Sequence, residues 1–312
     1  MTVTIGVDIG GTKIAAGVVQ PDGTIVAQQR RLTPAREPRA TQEAIIGVVQ
    51  ELRKDHEVEA VGVAAAGYID AARATVLFAP NLAWRDEPLE ATIEAGVGLP
   101  TIVENDANAA AWGEFRFGAG KDVDELLMVA LGTGIGGGLV LGGELFRGTF
   151  GIAAEFGHVR VVPGGRPCGC GNHGCWEQYC SGSALVRDVR AAAGAARATT
   201  ILDRAAGDPS AITGQMVTAA AQGGDPLCID ALRTIGRWLG EGIASLASAF
   251  DPGVVVVGGG VSEAGDLLLD PAREAFRQQL SGRGHRPELE IRLAALGNAA
   301  GMTGVADLAR RR

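Results

Sequence analysis

The sequence predicts an α/β protein of two domains, and three observations carry that expectation. Glycine-rich turns flanked by apolar, β-branched strands occur near residue 10 and again near residue 135. Strand-like apolar runs alternate with stretches of helical periodicity along the rest of the chain. The length, 312 residues, is too great for one small core and about right for two. Apolar residues at 46% and charged residues at 21% are the balance of an ordinary globular protein. A net charge of −8 argues against nucleic acid or an anionic membrane as partner.

Taken in order, residues 2 to 19 read as strand, turn, strand around DIGGTK. Gly10 and Gly11 allow the tight turn, and Thr12 and Lys13 sit on it. Asp8 ends the first strand, where a carboxylate can orient a hydrated divalent cation. Alone, DIGGTK reads equally well as a hairpin with a solvated lysine. Ile45, Val48, Val49 and Leu52 mark an amphipathic helix, and residues 60 to 69 a buried strand entering a glycine turn. Residues 70 to 100 look irregular. Thr101–Val103 is a short strand, followed by the polar triplet Glu104-Asn105-Asp106 and an alanine-rich helix. Asp106 therefore falls near a helix N-terminus, whose dipole stabilises a carboxylate; its plainer role is that of a helix cap.

The first pattern returns over residues 126 to 141, an apolar strand, GTGIGGG with Thr133 and Gly134, and another apolar strand. Residues 126 to 143 are uncharged, but seven glycines make a poor membrane helix and a good hairpin. Gly132, Gly134 and Gly137 fit the dinucleotide spacing G-x-G-x-x-G, yet no helix follows them, so that reading fails. Two glycine hairpins can instead cradle a polyphosphate with their backbone N–H groups. Beyond residue 177 the chain is mostly helical to residue 250. One long core helix is opened by Asp225-Pro226 and closed by Asp251-Pro252. The buried strand VVVVGGG ends in a third glycine turn at Gly259 and Gly260. A helix over 263 to 280, a strand and a C-terminal helix complete the chain.

The stretch from Glu155 to Glu177, EFGHVRVVPGGRPCGCGNHGCWE, organises the rest. His158, Cys168, Cys170 and Cys175 supply one imidazole and three thiols, the ligand set of a tetrahedral structural Zn²⁺ site with no position open for a reacting water. Cys168 and Cys170 flank a single residue, so this is no Cys-x-x-Cys redox pair. Cys180 and Cys228 are left over, and a disulfide between them is not expected in a reducing cell interior. The N-terminus lacks the basic and apolar regions of a secretory signal, which together with metal-spaced thiols predicts a cytoplasmic protein.

These motifs together resemble the ROK family of sugar kinases and repressors, within the actin-like ATPase superfamily. The resemblance rests on DIGGTK at 8–13, ENDANAA at 104–110, LGTGIGGG at 131–138, EFGH at 155–158 and CGCGNHGCWE at 168–177, and spans the whole chain. The pattern is most similar to that of bacterial ATP-dependent glucokinases within the family. It implies two actin-like (ribonuclease H-like) α/β domains with a deep interdomain cleft. Residues 1–108 would form the small domain, with the C-terminal helix (about 299–312) packed back on it, and residues 109–298 the large one. It also implies ATP and Mg²⁺ as cofactors and transfer of phosphate to a hexose 6-hydroxyl. Asn105, Asp106, Glu155, His158 and Glu177 would line the sugar site, with Asp106 as general base. A homo-oligomer, dimer or tetramer, is expected, with no nucleic-acid or membrane partner.

The polar chemistry agrees with that expectation. A hexose presents several hydroxyls that both donate and accept, and suits a pocket of carboxylates, an amide and an imidazole. His158 can give one ring nitrogen to zinc and the other to the sugar. Rival readings are another hexose (N-acetylmannosamine, mannose, fructose or allose), polyphosphate as donor, and a sugar-responsive repressor. The repressor is disfavoured because the first strand starts at Thr2, with no room for a helix-turn-helix ahead of it, and the chain is acidic.

Overall fold

The computed structural model describes residues 2–195 and 199–312. Packing divides the chain into two units: Met1–Leu127 with Gly138–Ala154 and Ala294–Arg312, and Met128–Gly137 with Glu155–Leu293.

In chain order, the elements of the N-terminal part are β1 (Val3–Ile9), β2 (Lys13–Val19), β3 (Ile25–Leu32), α1 (Pro38–Leu52), β4 (Val58–Ala65), β5 (Tyr68–Ile69), β6 (Val76–Phe78), β7 (Arg85–Glu87), α2 (Leu89–Val97), β8 (Thr101–Asn105) and α3 (Asp106–Phe117). β9 (Leu126–Leu131), β10 (Ile135–Leu141) and β11 (Glu144–Leu145) follow. The remainder is α4 (Gly182–Ala195), α5 (Thr200–Arg204), α6 (Gly214–Gln222), α7 (Pro226–Phe250), β12 (Val254–Gly258), α8 (Asp266–Gln279), β13 (Glu290–Leu293) and α9 (Ala300–Arg310).

The first sheet has the order β3-β2-β1-β4-β8. β1, β2 and β3 form an antiparallel meander, while β4 and β8 run parallel to β1. The C-terminal ends of three parallel strands therefore lie side by side, carrying Asp8, the turn after Ala65, and Asn105. In open α/β sheets this edge is where ligands bind. One face of the sheet is closed by α1 and α2, whose Ile45, Val49, Leu89 and Ile93 are buried with Ile5, Val7, Val61 and Val63. α9 packs against β1, β4 and α3.

The second sheet has the order β11-β10-β9-β12-β13, with β12 and β13 parallel. β12 is a run of four valines buried on both faces, as a covered parallel strand requires. α7 packs along α8, and α4 and α6 pack on α7. Asp225 caps α7 by accepting from the Cys228 amide at 3.1 Å, and Pro226 fits the first turn, where no donor is needed.

Several expectations are corrected. Residues 70–100 are not irregular: β5, β6 and β7 form a small sheet, and α2 follows with Leu89, Ile93 and Val97 on its buried face. That helix lacks a side-chain cap at its start, so only its spacing announces it. The strand expected over 60–69 is two strands, broken at Gly67. Asp106 does not cap α3. Asn105 does, its Oδ1 accepting from the Asn108 amide at 2.9 Å, and Asp106 is the first helical residue. Residues 109–127 and 138–154 pack with the first unit, whereas a division at residue 108 is the sequence expectation. Among the described residues, no helix is long and apolar enough to cross a membrane.

Candidate active site

In the first unit, polar groups gather at the C-terminal edge of the sheet. The turn between β1 and β2 is closed by the Gly10 amide donating to Lys13 O (2.9 Å), and is tied to the next strand by the Thr33 amide donating to Thr12 O (3.0 Å). Gly11, Thr12 and Lys13 are exposed on it. Asp8 stands beneath this turn, half-buried. Burial, and after it the like charge of Asp106, push its carboxyl up to about 7, against the pull of the Lys13 ammonium. Burial also raises Asp106, although the Ala107 amide donates to its Oδ1 at 3.0 Å. Both aspartates border one spot at the start of α9: a Cβ on Gly301 would lie 3.7 Å from Asp8 Oδ2 and 3.8 Å from the Asp106 carbonyl. Asn105 spends part of its amide on structure, donating from Nδ2 to Gly67 O at 3.1 Å besides capping α3.

Beneath this junction lies a group that sequence reasoning missed. The Glu104 carboxylate is wholly buried between Arg73 (Nε at 3.0 Å) and Arg147 (Nε at 2.8 Å, too bent for a hydrogen bond). Its other oxygen accepts from the Asn105 amide at 2.9 Å and from Asn108 Nδ2 at 3.3 Å. Arg147 in turn donates to the carbonyls of Asp70 and Ala71. The available signal was a charged residue ending an otherwise apolar strand.

In the second unit, the loop from residue 155 to 177 folds on itself. Val161 and Val162 donate to Gly174 O, Cys168 donates to Asn172 O, and Trp176 donates to Val159 O. Trp176 is buried and its Nε1 donates to Trp238 O on α7, so the loop is anchored to the helical layer. The ligand atoms of His158, Cys168, Cys170 and Cys175 all lie within 4.8 Å of one another. Cys170 Sγ and Cys175 Sγ are 3.6 Å apart, and Cys168 Sγ is 3.7 Å from His158 Nδ1. Zn–S bonds of about 2.3 Å at tetrahedral angles put two sulfurs roughly 3.7 Å apart, so the set fits zinc. Nδ1 is the nitrogen on the thiol side, which leaves Nε2 for another partner. Glu155 opens the short helical turn that carries His158, accepting from the His158 amide at its carbonyl. Glu177 Oε1 is 3.0 Å from Cys168 Sγ and 3.8 Å from His158 Nδ1.

The same unit holds a cavity of about 730 Å³. Thr133 and Gly260 line it, as do Ser183, Arg187, Arg190 and Thr213, which sequence reasoning did not find because α4 and the start of α6 lie fifty and eighty residues along. Arg190 is held by two hydrogen bonds to Ile212 O. Gly259 buttresses this wall. Its φ is +82°, and a Cβ there would lie 2.5 Å from the Leu131 carbonyl. Gly134 does not line the cavity and stands against Glu177 instead.

All five cysteines are free thiols. Cys180 and Cys228 are buried, and burial pushes the Cys228 thiol up to about 12.

The chain is 52% identical over 312 residues to the glucokinase of Streptomyces coelicolor, across 99% of this chain and 98% of that protein. Its structure matches that of a ROK family glucokinase from Streptomyces griseus in complex with glucose and AMPPNP, with a TM-score of 0.91 and 52% identity over 99% of this chain and 100% of that one. It also matches a ROK hexokinase from Thermus thermophilus, with a TM-score of 0.84 and 35% identity over 99% and 98% of the two chains. The sequence model of the ROK family matches residues 4–312. The chain belongs to the ROK family.

Proposed function

We propose that this protein is an ATP-dependent glucokinase, which transfers the γ-phosphoryl group of ATP to the 6-hydroxyl of glucose. The observation that carries the reading is the end-to-end similarity to the glucose- and AMPPNP-bound Streptomyces griseus enzyme. The polar groups of each unit suit that chemistry.

Asp106 is the general base. A base must accept the hydroxyl proton as the phosphoryl group moves, and burial that raises Asp106 makes it a better acceptor. Asn105, Glu155, His158 through Nε2, and Glu177 bind the sugar hydroxyls, each offering a donor or acceptor of fixed direction. The nucleotide's adenosine occupies the cavity beside Gly259 and Gly260, and Thr133 meets the phosphates. The turn Gly10, Gly11, Thr12 and Lys13 offers the phosphates exposed amides, a hydroxyl and an ammonium.

Mg²⁺ bound with the nucleotide would neutralise charge on the transferred group, and Asp8 is the residue suited to orient it. Two acidic groups close together, one with a pKa near 7, form a charge arrangement that a divalent cation relieves. Zn²⁺ would be held by His158, Cys168, Cys170 and Cys175, where it would fix the loop that carries Glu155 and Glu177. Five free thiols suit a reducing compartment, which keeps the cytoplasm as the proposed location.

The test is ADP release from ATP over a panel of glucose, mannose, fructose, allose and N-acetylmannosamine. Glucose should give the highest kcat/KM, and polyphosphate should not replace ATP. A higher kcat/KM for another hexose would reassign the substrate.

A further inference from the structure

The turn joining β9 to β10 is held from one side. The Gly182 amide at the start of α4 donates to Gly132 O at 2.8 Å, and the Ser183 amide to Thr133 O at 3.3 Å. On the other side stands Glu177. A Cβ built on Gly134 would lie 2.4 Å from Glu177 Oε2, closer than real carbon–oxygen contacts, whereas one on Gly132 meets nothing within 4 Å. The second carboxylate oxygen is engaged by the thiol–imidazole set, 3.0 Å from Cys168 Sγ. The carboxylate thus sits between the ligand set and the bare Cα of Gly134.

We propose that Gly134 is a positioning residue for Glu177, its missing side chain being the space in which the carboxylate takes up its sugar-binding orientation. This rests on the reading of Glu177 as a sugar ligand. It sets Gly134 apart from Thr133, with which it shares one glycine hairpin in the sequence. The turn has two edges. Thr133 lines the cavity, and Gly134 lines the carboxylate. A methyl group at Gly134 displaces the flexible end of Glu177 before it displaces backbone. Loss of one hydrogen bond to a charged group weakens binding by about 10- to 100-fold.

The experiment measures the glucose Kd by calorimetry without nucleotide, with zinc content by elemental analysis, for wild type, Gly134→Ala, Gly132→Ala, Glu177→Asp and the double variant Gly134→Ala/Glu177→Asp. Gly134→Ala should weaken glucose by about tenfold or more with its zinc retained, and Gly132→Ala should stay within about twofold of wild type. The double variant should bind no worse than Glu177→Asp alone, because the shorter side chain clears the methyl group. A distorted turn would not show that rescue. A Gly134→Ala protein that binds glucose like wild type overturns the proposal, as does a double variant in which the two losses simply multiply. Should Gly134→Ala fail to fold, a folded double variant supports the proposal, and one that also fails overturns it. Wild-type protein that binds no glucose refutes the glucokinase reading itself, and this proposal with it.

Discussion

Glu104 and Arg147 form a 2.8 Å ion pair in which the carboxylate is 0% and the guanidinium side chain 10% exposed. The pair joins the β8–α3 junction to the loop that runs on to Glu155, because Glu104 also accepts from the Asn105 amide while Arg147 donates to Asp70 and Ala71. Breaking a buried pair from one side leaves an uncompensated charge and costs about 3–5 kcal/mol. Glu104→Gln, which leaves the buried Arg147 without its carboxylate, should lose stability of that order by chemical denaturation, and Arg147→Met less, because Arg73 still faces Glu104 at 3.0 Å. The double variant should lose clearly less than the sum. Additive losses would show that the two groups act independently.

The pKa of Asp8 is shifted in the direction opposite to that of an ion-paired carboxylate. The value is raised from 3.8 in the unfolded chain to about 7, so the folded state binds the extra proton between those values. Stability from this group is therefore lost as pH rises from about 4 to 7. Asp8→Asn should melt above wild type at pH 8, by about 2 °C or more if the gain reaches 1 kcal/mol, and show no such gain at pH 4. Thermal melts of the two proteins at both values check the sign. An equal shift at both would place the effect outside the titration of Asp8.

The metal set gives a third expectation. Wild type should carry about one zinc per chain, and Cys170→Ser should lose both the metal and glucose binding, since Glu155 and Glu177 flank the ligands in sequence. Nucleotide affinity should change much less, because the cavity is walled by α4, α6 and the glycine turns. Elemental analysis with separate glucose and ATP titrations reads all three. A metal-free wild type of full activity contradicts a structural zinc.

What the sequence made legible was whatever depends on local pattern. β1 with β2, and β9 with β10, follow from apolar runs around glycine turns, and α7 from its spacing and its Asp225-Pro226 start. The four candidate metal ligands lie together, as their spacing suggested. Groups defined by distant partners were hidden. Glu104 reads as one more acid in ENDANAA until Arg73 and Arg147 arrive from 31 and 43 positions away. The cap of α3 stayed open in the sequence because Asn105 and Asp106 are both good capping residues, and only the extended backbone of Asn105 decides between them. Gly134 was grouped with the nucleotide by its motif, while the structure sets its Cα against Glu177.

The cap assignment sharpens the test of the central claim, that Asp106 is the general base. Since Asn105 caps α3, Asp106→Asn leaves the helix start intact and changes chiefly the charge and basicity of one half-buried group. A positioned base is worth about 10²–10⁴ in rate. Asparagine is nearly isosteric and still hydrogen-bonds a hydroxyl, so glucose affinity should fall by no more than about tenfold, or 1.4 kcal/mol. The decisive measurement is kcat and the glucose Kd on one preparation of Asp106→Asn. The account predicts a fall in kcat of about 10²-fold or more with glucose still bound. Turnover retained near the wild-type rate would contradict it, and would move the search for the base to Glu155.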